Sequence, residues 1–388
     1  MRRISVEERR ARLAVRHHLA TPAADPLAAA TGVVALHASD PASVFLSLHA
    51  RTAPASVEAI EQALYEDRTL IRMHGMRRTL FVVPATLAPV VQAACTAGIA
   101  AQQRRRYGKL LADAGVGDET TLVEAGEATL RALAARGEAT GAQLSADVPE
   151  LRTKLVLNAG KRYQQTANIT SWVLFLLAAE GRVVRGRPRG SWASGSYTWS
   201  PIERWLPDGF PPMPVERARA ELVRSWLAAF GPGTVADLRW WTGFTAAQVK
   251  QALAVIDPVE VDLDGATGLV LPDDLDPPPA PDPWVALLPA LDPTPMGWTE
   301  RSWFLGDHKS VLFDRNGNIG PSIWCDGRIV GGWAQRKDGE VVYRLLEDIG
   351  SEASAAVEQA AARLTAWTQP VRVIPRFRTP LERELAGS

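Results

Sequence analysis

The sequence predicts a mainly α-helical protein with β-structure, an α+β fold in which three tandem helix–hairpin units precede a C-terminal antiparallel β domain. Three observations support this prediction. Amphipathic helices are followed by two short strands, and this order occurs three times along the 388 residues. A proline-rich acidic linker, 272–283, follows the third unit. Beyond it, Asn-Gly and Asp-Gly turns separate alternating segments.

The first unit is assigned to residues 1–90. Asp40 and Pro41 form a good helix start, because aspartate caps a helix and proline fits its first position. The segment LIRMHGMRRTLFVVP indicates two strands. Helices followed by a β-hairpin are the parts of a winged helix. The predicted elements are helices over 5–19 and 26–36, a helix from Asp40–Pro41, a helix from residue 55 and two strands around Gly75.

The same order returns in residues 91–205 and again in 206–271. The second unit has predicted helices over 121–137, 139–149 and 168–181 and two strands within 182–201. The third has predicted helices over 215–231, 234–243 and 245–256 and a hairpin over 259–272. Thr234 and Thr245 are expected N-caps, and Gly243 is expected to end the second helix of this unit. We therefore predict three tandem winged helices.

The last domain, 284–388, is predicted to be a small antiparallel β structure. Turns between its strands are expected at Asn316–Gly317, Asp326–Gly327 and Asp338–Gly339. A final helix over about 352–367 and a strand over 371–377 complete the prediction.

Composition excludes several classes of protein. The 43 basic and 43 acidic residues balance, so bulk charge attracts neither nucleic acid nor membranes. Cys95 and Cys325 are far apart and are interpreted as small buried residues. No signal peptide or apolar run of spanning length is present, which predicts a cytoplasmic protein with no membrane partner. The histidines lack ligand-like spacing, so we expect no metal and no cofactor.

Positive charge is nevertheless concentrated on the predicted hairpins. One interpretation is a solvated basic face; the other is a DNA-binding surface, because wings contact DNA and arginine makes charge-assisted bonds to phosphate. Two such clusters on tandem units favour DNA. The predicted DNA-binding residues are Arg72, Arg77 and Arg78 on the first hairpin and Arg185, Arg187, Arg189, Ser191 and Trp192 on the second.

Several stretches resemble the bacterial winged-helix DNA glycosylases of the AlkZ and YcaQ type. They are GVVALHASDPASVFLSLHAR, HGMRRTLFVVP, RGRPRGSWASGSYTWSP, ADLRWWTG and GRIVGGW, and the resemblance extends over essentially the whole chain. It implies a concave channel for damaged double-stranded DNA, excision of N7-alkylated or bulky-adduct purines, and, in some members, crosslink unhooking and self-resistance. It also implies a nucleoid-associated protein.

Two further positions are assigned to the DNA surface. Arg51 ends the first stretch that carries the resemblance. Arg315 and Asn316 lie in a polar turn that is expected to form an exposed hairpin tip in the channel wall. An ordinary surface turn is the alternative for this second position.

The resemblance places the catalytic motif at residues 37–39, with a departure. The family has Gln-x-Gln, or Gln-x-Asp in the YcaQ branch, where this sequence has His37, Ala38 and Ser39, followed by Asp40. An aspartate can stabilise positive charge on deoxyribose and activate water, and a neutral histidine or Ser39 can position that water. Asp40 can instead be only a helix cap. Both interpretations of Asp40 remain open, and the motif indicates a divergent subgroup.

Two functions are compatible with these features. The first is a monofunctional DNA glycosylase, and the second is a non-catalytic winged-helix DNA-binding protein or regulator. Single-unit winged-helix regulators usually dimerise, whereas three units in one chain favour a monomer around one duplex. This argument favours the enzyme.

Overall fold

The computed structural model describes residues 1–53, 56–157, 160, 162 and 164–387. The described residues form a mixed α+β structure, which confirms the predicted fold class. The first part of the chain contains β1 (Arg2–Arg3), α1 (Val6–Arg16), α2 (Pro26–Gly32), β2 (Leu36–His37), α3 (Pro41–His49), α4 (Val57–Glu61), β3 (Leu70–His74) and β4 (Leu80–Pro84).

The first hairpin, β3–β4, lies at the predicted position, and a third strand, β2, joins it to form a sheet. Strand β2 pairs antiparallel with β4, with His37 opposite Phe81. The helix predicted over 26–36 ends at Gly32, because the chain turns at Val34 (φ 64°) and then joins the sheet. The helix predicted from residue 55 begins at Val57; residue 55 itself lies outside the described residues. The short strand β2 is the element that positions His37.

The second part contains one hairpin that the sequence did not predict. It lies between two helices of the unit, and Lys154 faces Asn168 across it. The second hairpin, β7–β8, is confirmed. The elements are α5 (Ala88–Val91), α6 (Ala97–Asp113), α7 (Glu119–Arg136), α8 (Gly141–Asp147), β5 (Lys154–Leu157), β6 (Gln165–Asn168), α9 (Thr170–Ala179), β7 (Val183–Pro188) and β8 (Tyr197–Pro201).

The third part follows its prediction closely. Thr234 and Thr245 cap their helices through capping boxes, and Gly243 ends its helix in the left-handed region. Strand β1 pairs parallel with the first strand of the third hairpin, so the N-terminal segment joins this unit. The elements are α10 (Val215–Phe230), α11 (Val235–Thr242), α12 (Ala246–Ile256), β9 (Val259–Leu263) and β10 (Ala266–Val270).

The linker after β10 is bound by the first helix. Arg12 is 1% exposed, and its guanidinium donates to the Asp274 carboxylate at 2.9 Å and to the backbone oxygen of Asp276 at 2.9 Å. Arg16 donates to both Asp274 oxygens, at 2.5 and 2.6 Å. The acidic linker is therefore fixed against α1.

The C-terminal part has the predicted antiparallel meander, with strands in the order β11–β12–β13–β14. Its elements are β11 (Val285–Leu288), α13 (Ser302–Leu305), α14 (Lys309–Leu312), β12 (Ser322–Cys325), β13 (Arg328–Gln335), β14 (Val341–Leu345), α15 (Ser351–Thr368) and α16 (Pro380–Ala386). The prediction of a strand over 371–377 is wrong. The backbone there binds side chains instead of a strand: Val373 donates to Gln335 and Arg376 to Asp40.

Packing joins the parts of the chain. One apolar cluster includes Leu13, Met76, Trp226 and Trp324, so it draws on the first, third and C-terminal parts. The second part has a cluster of its own between α7, α9 and the second hairpin. The domain boundaries derived from the sequence are kept as a proposal.

Candidate active site and DNA interface

His37 lies at the edge of the first sheet and is half-buried. Its ring packs edge-on against Phe81, with the centroids 5.5 Å apart. The backbone N–H of Ser39 points at Nδ1 at 3.4 Å, so Nδ1 is the acceptor and the neutral ring carries its hydrogen on Nε2. Burial, and then the charge of Arg77, lowers the pKa of His37 to about 4. His37 is therefore neutral at physiological pH.

Asp40 is the N-cap of α3, as the Asp-Pro sequence predicts, and it is 6% exposed. One carboxylate oxygen accepts from the Ala42 N–H at 3.2 Å, and the other from the Arg376 N–H at 2.9 Å. Burial raises the pKa of Asp40, while these two N–H groups and the Arg376 charge act against that rise. Both oxygens are thus engaged, and the structure favours the capping interpretation.

Ser39 lies between these two residues and is half-buried. The Arg376 guanidinium donates to its backbone oxygen at 3.2 Å. The reachable groups of the motif are therefore His37 and Ser39, with the Asp40 carboxylate behind them. A neutral imidazole and a hydroxyl can orient a water molecule or a polar base edge.

The tip of the first hairpin lies beside this motif. Arg77 and Arg78 are exposed and both have left-handed backbone, with φ of 54° and 63°. Such conformations are strained for residues with side chains and are found often at functional sites. Arg77 lies over the Trp240 ring at 4.4 Å, and Arg78 donates to Gln103 at 2.9 Å. The tip thus contacts both the second and third parts of the chain.

Sequence reasoning missed three residues around the motif. Trp240 is half-buried and has Arg77 and Arg301 over its ring, the second at 5.0 Å. Arg301 also lies 5.2 Å from the Phe313 ring. Arg376 falls in the segment that was predicted to be a strand. No local pattern marks these arginines, because the contacts that define them come from distant parts of the chain.

The three arginines of the second hairpin differ in their burial and in their contacts. Arg185 is half-buried and lies 4.3 Å over Tyr197 and 5.2 Å over Trp199. Arg187 forms salt bridges with Glu61 and Glu66 of the first unit. Arg189 is exposed at the end of the strand. Of the three, only Arg189 points its charge fully to solvent.

Three predicted DNA-binding residues are buried, and these assignments to the surface need correction. Arg51 is 0% exposed and forms a double salt bridge with Asp292, at 2.6 and 2.8 Å. Arg72 is 5% exposed and lies in β3, all five residues of which are buried. Trp192 is 7% exposed and packs against Phe45 at 5.2 Å. These three large side chains therefore lie in the protein interior and not on its surface.

The remaining predicted positions lie on the surface. Ser191 is half-buried at the turn of the second hairpin. Arg315 and Asn316 are exposed in a tight turn closed by the Phe313–Ile319 bridge. The Asp314 carboxylate holds this turn by accepting from the Asn316 N–H at 2.8 Å and the Asn318 N–H at 2.9 Å.

An open groove of about 570 Å³ lies between the second hairpin and the helices α8 and α9. Its walls carry hydroxyl and amide side chains together with the aromatic rings of Phe175, Tyr197 and Trp199. Arg185 contributes the positive charge. A groove with this lining suits a sugar–phosphate backbone better than an apolar ligand.

Across residues 1–53, 56–157, 160, 162 and 164–387, no group of three His, Cys, Asp or Glu side chains is placed to hold a metal ion. Over the same residues, no helix combines the length and apolar character needed to cross a membrane.

Comparison with known proteins identifies the family. The model of the family described as DNA glycosylase AlkZ-like matches residues 30–367. The structure of the Streptomyces sahachiroi DNA glycosylase AlkZ is similar, with a TM-score of 0.72 and 21% sequence identity over 96% of this chain and 98% of that chain. That likeness shows the shared fold. No curated protein matches the sequence. Because the family model covers most of its length, the chain belongs to the AlkZ-like family of DNA glycosylases.

Proposed function

We propose that this protein releases N7-alkylated or bulky-adduct purines from duplex DNA as a monofunctional, monomeric glycosylase. The observation that carries the proposal is the position of His37 and Ser39. They occupy the positions that the resemblance assigns to the family's catalytic motif, where they replace its residues, and they are partly open beside the arginine-rich tip of the first hairpin. Unhooking of crosslinks and a self-resistance role are extensions of the same proposal.

The proposed chemistry fits a neutral site. An N7-alkylated purine already carries positive charge, so it leaves as a neutral base without a strong acid. Water adds to C1′, the C1′–N9 bond breaks, and its electron pair neutralises the purine. His37 or Ser39 orients the water, and the water's proton passes to solvent. The charge of Asp40 stabilises the developing sugar cation from behind the motif.

The proposed DNA interface surrounds this motif. Arg77 and Arg78 would contact phosphates next to the lesion, and Arg189 and Ser191 would contact the backbone at the second hairpin. Arg315 and Asn316 would reach the duplex from the C-terminal turn. Exposure of the four arginine side chains and of Asn316 at the two tips and the turn supports this assignment.

The decisive experiment measures base release from a duplex containing N7-methylguanine, with abasic sites revealed by heat or alkali. We expect His37→Ala to slow single-turnover release about a hundredfold, which is about 2.7 kcal/mol at 1.36 kcal/mol per tenfold. His37→Gln, which restores a neutral donor and acceptor, should stay within about tenfold of the parent. Equal rates in His37→Ala and the parent would remove His37 from the mechanism.

Asp40 needs a different comparison. Asp40→Asn removes the charge, but its NH₂ group would then face either the Ala42 or the Arg376 N–H, both of which are donors. We therefore expect a stability loss of about 1–3 kcal/mol together with slower base release. Rates must be compared at a temperature where both proteins are folded. A normal rate there would leave Asp40 with the capping role alone.

The second candidate function is a non-catalytic DNA-binding protein. The departure from the glutamine motif and the engaged Asp40 carboxylate favour it. In that case the parent would bind duplex DNA but release no base, and the double substitution His37→Gln, Ser39→Gln would be needed for any activity. Activity of the parent on any N7 adduct would exclude this candidate.

A further inference from the structure

A small cavity lies between the first and second hairpins. It has a volume of about 10 Å³, enough for about one water molecule, and its lining includes the polar residues Arg72, His74 and Arg185. The first two lie on β3 and the third on β7. The other lining residues are apolar. Three basic side chains therefore share an apolar, water-sized space.

Arg72 is buried without a partner for its charge. It is 5% exposed, and its Nε and Nη2 atoms have no hydrogen-bond acceptor within the described residues. Burial raises the pKa of Tyr65, and Arg72 acts to lower it, both through its charge and as a side-chain hydrogen-bond partner of the Tyr65 hydroxyl, although the contact falls short of normal hydrogen-bond geometry. Tyr65 is neutral, so it leaves the charge of Arg72 without an acidic partner among the described residues. Glu61 and Glu66, the acids on this side of the hairpin, bind Arg187 instead. Buried charges in proteins are normally paired, so the unpaired charge of Arg72 indicates that an anion binds beside it.

Arg185 faces Arg72 and is also without an acidic partner. Its guanidinium is held over Tyr197 and Trp199, and its Nε is buried with no acceptor. Burial, together with the charges of Arg72 and Arg376 and against the effect of Tyr197, lowers the pKa of Arg185 to about 10. His74 adds no negative charge: burial and the nearby arginines lower its pKa to about 3, and its Nδ1 is unpaired.

Arg185 connects this cavity to the outside. The same side chain lines the open groove beside α8 and α9. Hydroxyl groups of Thr140, Ser145, Thr170 and Ser196 also line that groove. The Thr140 and Thr170 hydroxyls already donate to Gln143 and to the Leu151 backbone oxygen, which leaves the Ser145 and Ser196 hydroxyls as donors. An anion in the groove would thus meet a guanidinium that is already held in place, two serine hydroxyls and a second guanidinium behind it.

We infer that Arg72 and Arg185 form a binding site for one phosphate group, entered from the groove. The enclosed cavity is too small for a whole phosphate, but one phosphate oxygen fits the space of a water molecule. That oxygen would meet Arg72, while the other oxygens remain in the groove with Arg185 and the hydroxyls. The inference rests on the DNA-binding part of the proposed function, and the phosphate belongs either to a DNA backbone or to a free phosphate ion.

The first test measures thermal unfolding of the full chain in inorganic phosphate and in chloride at equal ionic strength. A ligand that binds only the folded state raises the melting temperature. For a millimolar site we expect a rise of about 3 °C in tens of millimolar phosphate relative to chloride. No difference between phosphate and chloride would overturn the inference.

Variants locate the effect. Arg185→Met and Arg72→Met should each abolish the phosphate-specific rise. Arg187→Met is the matched control, since it is two residues away on the same strand and lines neither the cavity nor its hydroxyl-bearing groove; it should keep the full rise. If Arg72→Met does not fold, the phosphate-specific rise in melting temperature is measured in Arg72→Lys and Arg185→Met instead. A rise that persists in Arg185→Met would contradict the assignment.

A competition experiment identifies the source of the phosphate. Undamaged duplex DNA is bound in chloride, and phosphate replaces chloride at constant ionic strength. Release of DNA in the parent, and not in Arg185→Met, identifies a backbone phosphate; unchanged binding together with the thermal effect identifies a free ion. Neither measurement involves base release, so failure here leaves the proposed chemistry of His37 untouched, and the converse also holds.

Discussion

The hairpins of the first and second units each carry three arginines, yet their side chains have different surroundings. At the first tip, Arg77 and Arg78 are exposed on a strained turn that contacts Trp240 and Gln103. On the second hairpin, Arg187 is occupied by two glutamates of the first unit. A basic cluster in a sequence can therefore leave its charges exposed to solvent in one hairpin and form ion pairs between two units in another.

The largest expected difference between the hairpins is in the response to acid. The first hairpin carries His74, whose pKa is lowered to about 3, and the second has no histidine. Because the folded pKa lies below the ordinary 6.5, the unfolded chain binds more protons between these values. The contribution of His74 to the free energy of unfolding is complete above pH 6.5 and is lost as the pH falls toward 3, by up to roughly 5 kcal/mol at 1.36 kcal/mol per unit.

Urea unfolding of the parent and His74→Phe from pH 7 to pH 4 measures this contribution. The variant keeps an aromatic ring beside Phe175 and should lose the steepest part of the dependence. His49→Phe, outside both hairpins, should remove a smaller part, since the pKa of His49 is lowered only to about 4. Identical pH slopes in the parent and His74→Phe would contradict the prediction.

The second effect is on DNA affinity. The double substitution Arg77→Glu, Arg78→Glu should weaken binding of duplex DNA about a hundredfold and lower the salt slope by about 1.8, for two phosphate contacts at about 0.9 each. Arg187→Glu should change the slope little, because its charge is already neutralised. Fluorescence anisotropy over a range of salt concentrations measures both. Equal losses of DNA affinity in the double variant and in Arg187→Glu would mean that the two hairpins share one function.

The smallest effect concerns stability. Arg187→Met removes two partly exposed salt bridges between the second hairpin and the first unit, and we expect a loss of about 1 kcal/mol in the free energy of unfolding. Arg189→Met, just beyond the end of the same strand and without a salt bridge among the described residues, should stay within about 0.5 kcal/mol of the parent. Denaturant titration at low and high salt measures both. A larger loss in Arg189→Met would reverse the roles assigned to these residues.

Local signals in the sequence predicted much of the fold. Thr234, Thr245 and Asp40 cap helices as expected, since a cap depends on residues three or four positions apart. Strand β2 was missed because two residues become a strand only when β4 lies beside them. Segment 371–377 alternates like a strand but binds side chains, so periodicity alone was misleading there.

The candidate site was less predictable. The resemblance located His37 and Ser39, but the burial of Arg51 depends on Asp292, 241 residues away. In the same hairpin, Arg72 points inward and Arg77 outward, because one lies in a paired strand and the other at the tip. Arg301 and Arg376 come from loops without a pattern of their own. Long-range contacts, which a single sequence does not display, decide which charges are available.

The clamp between the first helix and the acidic linker has a consequence for synthesis. Arg12 leaves the ribosome 262 residues before Asp274, its partner in the folded chain. At about 5–20 residues per second, that interval is on the order of tens of seconds. Strand β1 likewise waits for Val261 and Asp262. Helix α1 is thus made long before the linker that it binds, and it must stay soluble through its own charges until the third unit and the linker emerge.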